Sequence, residues 1–338
     1  MRAAVGTDAG RVAVRDIDDP TPSGADVVVR VRYCGIGGSE LSALRDRRAD
    51  GVVLGHEFTG EVAAIGPDVT EFEVGQRVVG VPRVPCGACA ACLEQRFQSC
   101  TNGWQEIGDA DHPGAFAELV RSHQASLVAL PDDLSDRSAA LADPLRVGLH
   151  AVLSSRLTLD TSCAIIGAGP IGLAVLQAAQ LIHAGPTLVI EPSASRRAKA
   201  LELGASAALD PAADEVAQEL MARTIMGPDV VFECSGAAGL FEQAGVWVRP
   251  GGQVMLVGLN ENDEPIHPSN LILRDITFKG VYGGDDLLQS TVDHLHEGVL
   301  QADSLITEVV GLNGVNEVLD RLNRPGGDDI KVLIAPGD

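Results

Sequence analysis

Four cysteines, Cys86, Cys89, Cys92 and Cys100, fall in one short segment, the first three spaced by two residues and the last by seven. Thiolates brought together in this way can make a closed tetrahedral cage for zinc, with no open position for a substrate. Such a site is structural in character, ordering a lobe (here residues 84–102) that has little core of its own. A disulfide pair or an iron–sulfur cluster would use the same residues. A second stretch with chemical potential is Gly167-Ala168-Gly169-Pro170-Ile171-Gly172, which follows the apolar Cys163-Ala164-Ile165-Ile166 and precedes a helical pattern from Leu173 to His183. Glycines at these three places permit a tight turn and let a pyrophosphate approach the unpaired amides of a helix N-terminus. The next strand pattern ends at Glu191. A carboxylate there accepts hydrogen bonds from a ribose diol and repels a 2′-phosphate, so NAD is preferred. Arg196 and Arg197 follow closely and keep NADP open; their other role is a solvated helix face.

These residues need a scaffold, and the texture of the chain supplies two kinds. In the first third, Val27 to Arg32 is β-branched and alternates from Val29 onward, and Gly60 to Ile65 reads as a weaker strand, with Gly and Pro turns between. This predicts an antiparallel, barrel-like domain. From about Asp143 apolar strands alternate with helical stretches: Ala164-Ile165-Ile166, Thr187 to Ile190, Asp229 to Phe232 and Val254 to Val257. That rhythm predicts an α/β doubly wound parallel sheet of the Rossmann kind. After about Gly280 the rhythm weakens, and Ile330 to Ile334 reads as a strand able to rejoin the first domain. The expected division is 1–145, 146–283 and 284–338, the last a return to the first. A chain of 338 residues is long enough for two cores.

The formal charge of −22 disfavours nucleic acid and anionic membranes as partners. No apolar run approaches the roughly 20 residues that span a bilayer, and the first residues lack an apolar stretch with a cleavage site, so a cytoplasmic protein is expected. Four of the seven cysteines lie between residues 86 and 100, which favours metal over disulfides in that setting.

Taken in order, Cys34-Gly35-Ile36-Gly37-Gly38-Ser39-Glu40, Gly55-His56-Glu57-Phe58-Thr59-Gly60-Glu61-Val62, the four-cysteine lobe, Asp143-Pro144-Leu145 and the glycine fingerprint resemble the zinc-type medium-chain alcohol dehydrogenases. The likeness is strongest to their polyol, threonine and sugar dehydrogenase branches. The resemblance implies a GroES-like catalytic domain beside the Rossmann domain, and a homo-oligomer, dimer or tetramer. It places a catalytic zinc on position 37, His56, Glu57 and Asp143, and a proton-carrying hydroxyl on Ser39. Position 37 is glycine, which has no side chain to ligate with. One imidazole and two carboxylates remain, a set that holds zinc more weakly or accepts a harder ion. The resemblance also puts Ser235, Val257 and Leu259 along the dinucleotide channel, and Glu308-Val309 where a cofactor-gripping His-Arg pair is common.

The activity this implies is NAD(P)-linked hydride transfer between a small-molecule secondary alcohol, polyol or sugar-like substrate and its ketone. Two rivals follow from Gly37: a reductase of a carbonyl or activated double bond that has abandoned the catalytic metal, and a nucleotide-binding protein without catalysis. His56, Glu57 and Asp143 each also have a packing or capping role available.

Overall fold

Strand Asp26–Gly35 sets the pattern of the first unit: Val27, Val29 and Val31 are buried while Arg30 and Arg32 are exposed. This alternation is that of a strand with one face on a core and the other in water. It lies near the middle of a mostly antiparallel sheet in the order Ile306–Val310, Lys331–Ile334, Asp26–Gly35, Glu57–Ile65, Arg77–Gly80 and Leu127–Ala129, with Leu119–His123 also pairing Asp26–Gly35. A hairpin of Arg2–Gly6 and Val12–Asp16 packs into the same core, with Phe58, Phe116, Val27, Val29 and Leu44. Two register shifts along the Asp26–Gly35 and Glu57–Ile65 pairing bend the ladder.

The second unit has six parallel strands in the order Ala207–Leu209, Thr187–Ile190, Cys163–Ile166, Val230–Glu233, Gln253–Leu256 and Thr277–Gly280. In chain order this is third, second, first, fourth, fifth, sixth, the doubly wound arrangement with its switch point beside the first strand. Cys163–Ile166, Thr187–Ile190 and Val230–Glu233 are buried throughout, as strands covered by helices on both faces must be. The α/β class with a parallel Rossmann sheet and an antiparallel sheet is therefore the one expected.

The computed structural model describes residues 1–94, 96–102, 105–182, 185–324 and 326–338. His183, the last residue of the anticipated helix, and Gln95 of the cysteine lobe lie outside the described residues. Two units emerge, Met1–Asp143 with Asp285–Asp338, and Pro144–Gly284. Among the described residues no helix is long and apolar enough to cross a membrane. The segment from Glu40 to Gly55 begins inside a helix, Gly38–Arg45.

Gly167 turns with φ 93°, and a Cβ on Gly172 would lie 1.9 Å from the Gly167 carbonyl oxygen. The helix Pro170–Ile182 thus presses against the turn it follows. Gly172→Ala is expected to cost about 1–3 kcal/mol through overpacking, lowering the thermal midpoint by a few degrees. It should also weaken dinucleotide binding in calorimetric titration by about tenfold or more; wild-type affinity in this variant would show that the close approach does not shape the turn.

Candidate active site and dinucleotide site

Three segments of the first unit build the candidate site. Glu57 opens strand Glu57–Ile65 opposite Gly35, with His56 just before it. Asp143 lies in the first turn of helix Ala142–Leu153. Ser39 and Glu40 lie in the first turn of helix Gly38–Arg45, with Gly37 as its N-cap. His56, Glu57 and Asp143 each offer a ligand atom, all within 4.8 Å of one another. His56 Nε2 is 4.0 Å from Asp143 Oδ2. Three protein ligands with a position left over is the arrangement of a catalytic rather than a structural metal site. Gly37 contributes only its backbone, and Cys34 is fully buried with its Sγ donating to the Gly35 carbonyl at 3.6 Å.

Two residues missed in the sequence complete this cluster. Glu40 is 2% exposed. Its Oε1 accepts from His56 Nδ1 at 2.6 Å, and its Oε2 accepts from the Gly37 amide at 2.9 Å and Ser39 Oγ at 3.1 Å. Three residues beyond an N-cap, an acid reaching back to that cap's amide is half of a capping box, and this spacing was the available signal. Lys331 is 1% exposed, and its Nζ donates to Glu57 Oε1 at 2.8 Å, Glu57 Oε2 at 2.7 Å and the Ile36 carbonyl at 3.0 Å. Nothing local marks Lys331, because its partner is 274 residues away. Gly35 makes room for this pair: a Cβ there would meet Glu57 Oε2 at 2.1 Å.

Electrostatics follow from this crowding. Burial pulls the His56 imidazole toward its neutral form, but Glu40 outweighs it, and the proton is held to about pH 10. Burial likewise favours protonated Glu40, yet His56 and the donated hydrogen bonds lower its carboxyl to about 2. Burial pushes Glu57 up, with Lys331 opposing. Holding Nδ1 on Glu40 leaves Nε2 as the imidazole atom available to a metal.

In the second unit, Glu191 is 4% exposed. Its Oε2 accepts from the Ala168 amide at 2.7 Å and its Oε1 from Ser193 at 2.8 Å. The carboxylate therefore buttresses the fingerprint turn. Gly169 has open space where a Cβ would stand. Arg197 is tied to the Glu191 and Pro192 carbonyls and to Asp210, whereas Arg196 lies in the first turn of Ala194–Glu202. At the next strand end, Glu233 accepts from the Ser235 amide and hydroxyl and the Gly236 amide, and its carbonyl from Val257 and Gly258. Ser235 and Val257 thus meet at Glu233, and the Leu259 backbone lies against Gly236, where a Cβ would come 2.2 Å from the Leu259 carbonyl oxygen, although Leu259 is 71% exposed. Glu308 pairs with Arg321 in the first unit.

Cys86, Cys89, Cys92 and Cys100 converge, with Sγ separations of 3.8 Å between Cys86 and Cys92 and 3.4 Å between Cys89 and Cys92. A disulfide needs about 2 Å; four thiolates about 2.3 Å from a tetrahedral zinc sit about 3.8 Å apart. Amides of Cys86 and Asn102 donate to Cys100 Sγ at 3.4 Å, and Phe97 packs against the cysteines.

Comparison with known proteins places this geometry. Residues 23–132 match the alcohol dehydrogenase GroES-like domain, and 170–297 the zinc-binding dehydrogenase domain. The chain is 31% identical to (R,R)-butanediol dehydrogenase of Bacillus subtilis (strain 168) over 99% of its own length and 100% of the relative's. The chain belongs to the zinc-type medium-chain alcohol dehydrogenase family. It is an NAD(P)-dependent oxidoreductase acting on CH–OH groups. Another relative in the family is sorbitol dehydrogenase of the same bacterium, 29% identical over 99% of this chain and 97% of that protein. A crystal structure of a putative zinc-binding dehydrogenase from Sinorhizobium meliloti 1021 bound to NADP superposes with a TM-score of 0.89 at 30% identity, covering 99% of both chains.

Two outcomes are expected. Removing one partner of a buried pair costs about 3–5 kcal/mol, so Lys331→Met should lower denaturant stability by that order, and Lys331→Met/Glu57→Gln should recover most of it; equal losses in both would deny the pair its role. For metal-stripped protein, the His56–Glu40 contribution should be full between about pH 4.5 and 6.5. It should decline as pH rises from 6.5 toward about 10, where His56 loses its proton, and as pH falls from 4.5 toward about 2, where Glu40 gains one. Comparing wild type with Glu40→Gln across pH reads this window; a flat difference would refute it.

Proposed function

We propose that His56 through Nε2, Glu57 and Asp143 hold a divalent metal ion, and that the chain oxidises a secondary alcohol bearing neighbouring hydroxyls, a diol or polyol, to its ketone. The observation that carries this reading is the convergence of those three ligand groups within 4.8 Å, with His56 Nδ1 already committed to Glu40. The donor set fits a divalent ion: one imidazole nitrogen and two carboxylates. Bound there, the ion supplies Lewis acidity toward a substrate oxygen, and a nicotinamide dinucleotide held by Gly167, Gly169, Pro170, Ile171, Gly172 and Glu191 supplies the hydride acceptor.

The chain's own groups do the rest. Ser39, exposed and hydrogen-bonded to Glu40, takes the hydroxyl proton and passes it to solvent. Glu40 is too weak a base at about pKa 2 to store that proton, so it orients Ser39 and His56. Asp143, or Glu57 within its Lys331 contact, holds a water or relays the proton. Glu191 favours NAD, and Arg196 is the residue through which NADP would be accepted; the Sinorhizobium relative carries NADP. The diol preference draws on the relatives named for butanediol and sorbitol. The four-cysteine lobe holds a structural zinc. A cytoplasmic homo-oligomer is the assembly we favour, with edge strand Thr277–Gly280 and the exposed Ile272 and Leu273 beside it in sequence as its contact surface.

A metal-free reading has one observation in its favour, the 2.6 Å contact of His56 Nδ1 with the buried Glu40 carboxylate, which favours the protonated imidazole and so an acid for a carbonyl. Metal content by mass spectrometry, with NAD(P)-linked turnover of 2,3-butanediol and sorbitol before and after chelation, separates the two. We expect about two ions per chain, one of them removed together with turnover. A single retained ion with undiminished turnover would overturn the ion reading and leave the metal-free one.

A further inference from the structure

Gly37 stands where the family resemblance puts a thiolate, and its backbone does not demand glycine. With φ −100° and ψ 171° it is extended, a conformation open to any residue. What excludes a side chain is space. A Cβ on Gly37 would lie 2.8 Å from Glu40 Oε2, 3.0 Å from Glu57 Oε1 and 3.6 Å from Ser39 Oγ. Carboxylates at the tips of unrestrained side chains would swing aside cheaply. These two are restrained. Glu40 accepts from Gly37, Ser39 and His56 at 2.6–3.1 Å, and Glu57 is held through both oxygens by Lys331.

The geometry points to Glu40 as the residue that replaces the missing side chain at position 37. Its carboxylate occupies the volume and is held there by the Gly37 amide, Ser39 and His56, the last a contact of the kind that orients metal-ligating histidines generally. Glu40 is thus a positioning residue, and Gly37 is the space it requires. A thiolate restored at 37 would also add a fourth anionic group beside Glu40, Glu57 and Asp143, with Lys331 already committed to Glu57 and His56 to Glu40. This inference rests on the ion reading for its functional meaning, but its packing can be tested apart from it. Shortening Glu40 by one methylene withdraws the carboxylate and should reopen the site to a side chain at 37.

Two measurements on the full chain decide the matter. In a thermal cycle, Gly37→Ala should lower the midpoint by about 4 °C in the wild-type background and by less than half as much in Glu40→Asp, while the equally long Glu40→Gln keeps the larger loss. In the second, zinc is left in the cysteine lobe and cobalt(II) is loaded at the stripped site, with wild-type spectra subtracted. Gly37→Cys alone should add no near-ultraviolet cobalt–thiolate band, and Gly37→Cys/Glu40→Asp should add one. Equal midpoint losses in all backgrounds, a band in Gly37→Cys as strong as in the double variant, or cobalt uptake by the double variant without a band would each overturn the assignment. If no form takes up cobalt yet the thermal cycle stays coupled, the ion reading falls and the Gly37–Glu40 assignment stands.

Discussion

One buried positive charge organises the candidate active site. The Lys331 ammonium has no water to turn to, so it must be satisfied by protein oxygens, and the fold gives it both oxygens of Glu57 and the Ile36 carbonyl. The neighbouring residue holds Ile36 through the preceding peptide, the Val332 carbonyl accepting from the Ile36 amide at 3.0 Å. Strand Lys331–Ile334 thereby holds the Gly35–Gly37 backbone and the Glu57 carboxylate in one grip. Without that charge, Glu40, Glu57 and Asp143 would crowd three negative groups around one imidazole.

The same device recurs in the dinucleotide unit with backbone amides in place of a cation. Glu191 and Glu233 stand at the ends of parallel strands, and each spends its carboxylate on the amides of a turn: Ala168 and Ser193 for one, Ser235 and Gly236 for the other. Glu40 does likewise for Gly37. Buried carboxylates satisfied by amides shape the turns before any ligand arrives, which lowers the ordering cost of binding. In this light Glu191 braces the fingerprint turn whatever its part in the proposed ribose contact.

Features written in short-range pattern were legible in the sequence. Alternation in Val29 to Arg32 and the apolar run Cys163 to Ile166 report directly which faces are covered, and the spacing of Cys86, Cys89, Cys92 and Cys100 is itself the geometry of a cage. Glu40 was in view inside a quoted motif, but its role depends on a side chain turning back on its own helix cap and meeting His56 from another segment. Lys331 was hidden more deeply, as one lysine in an apolar strand whose meaning comes from a carboxylate hundreds of residues earlier. Gly37 was legible as a departure and illegible as a packing requirement, since only coordinates reveal what occupies the space beside it.

The return of Asp285–Asp338 to the first unit has a consequence for the order of events at the ribosome. His56, Glu57 and Asp143 are all made before the parallel-sheet unit, a compact body of residues Pro144–Gly284, and domains generally fold as units in the order of synthesis. The strand that neutralises Glu57 comes only afterwards. During that interval a buried-to-be carboxylate lacks its counter-charge and the Gly35 end of strand Asp26–Gly35 lacks its later neighbour, so the nascent chain carries an unfinished sheet edge that the last strand must close.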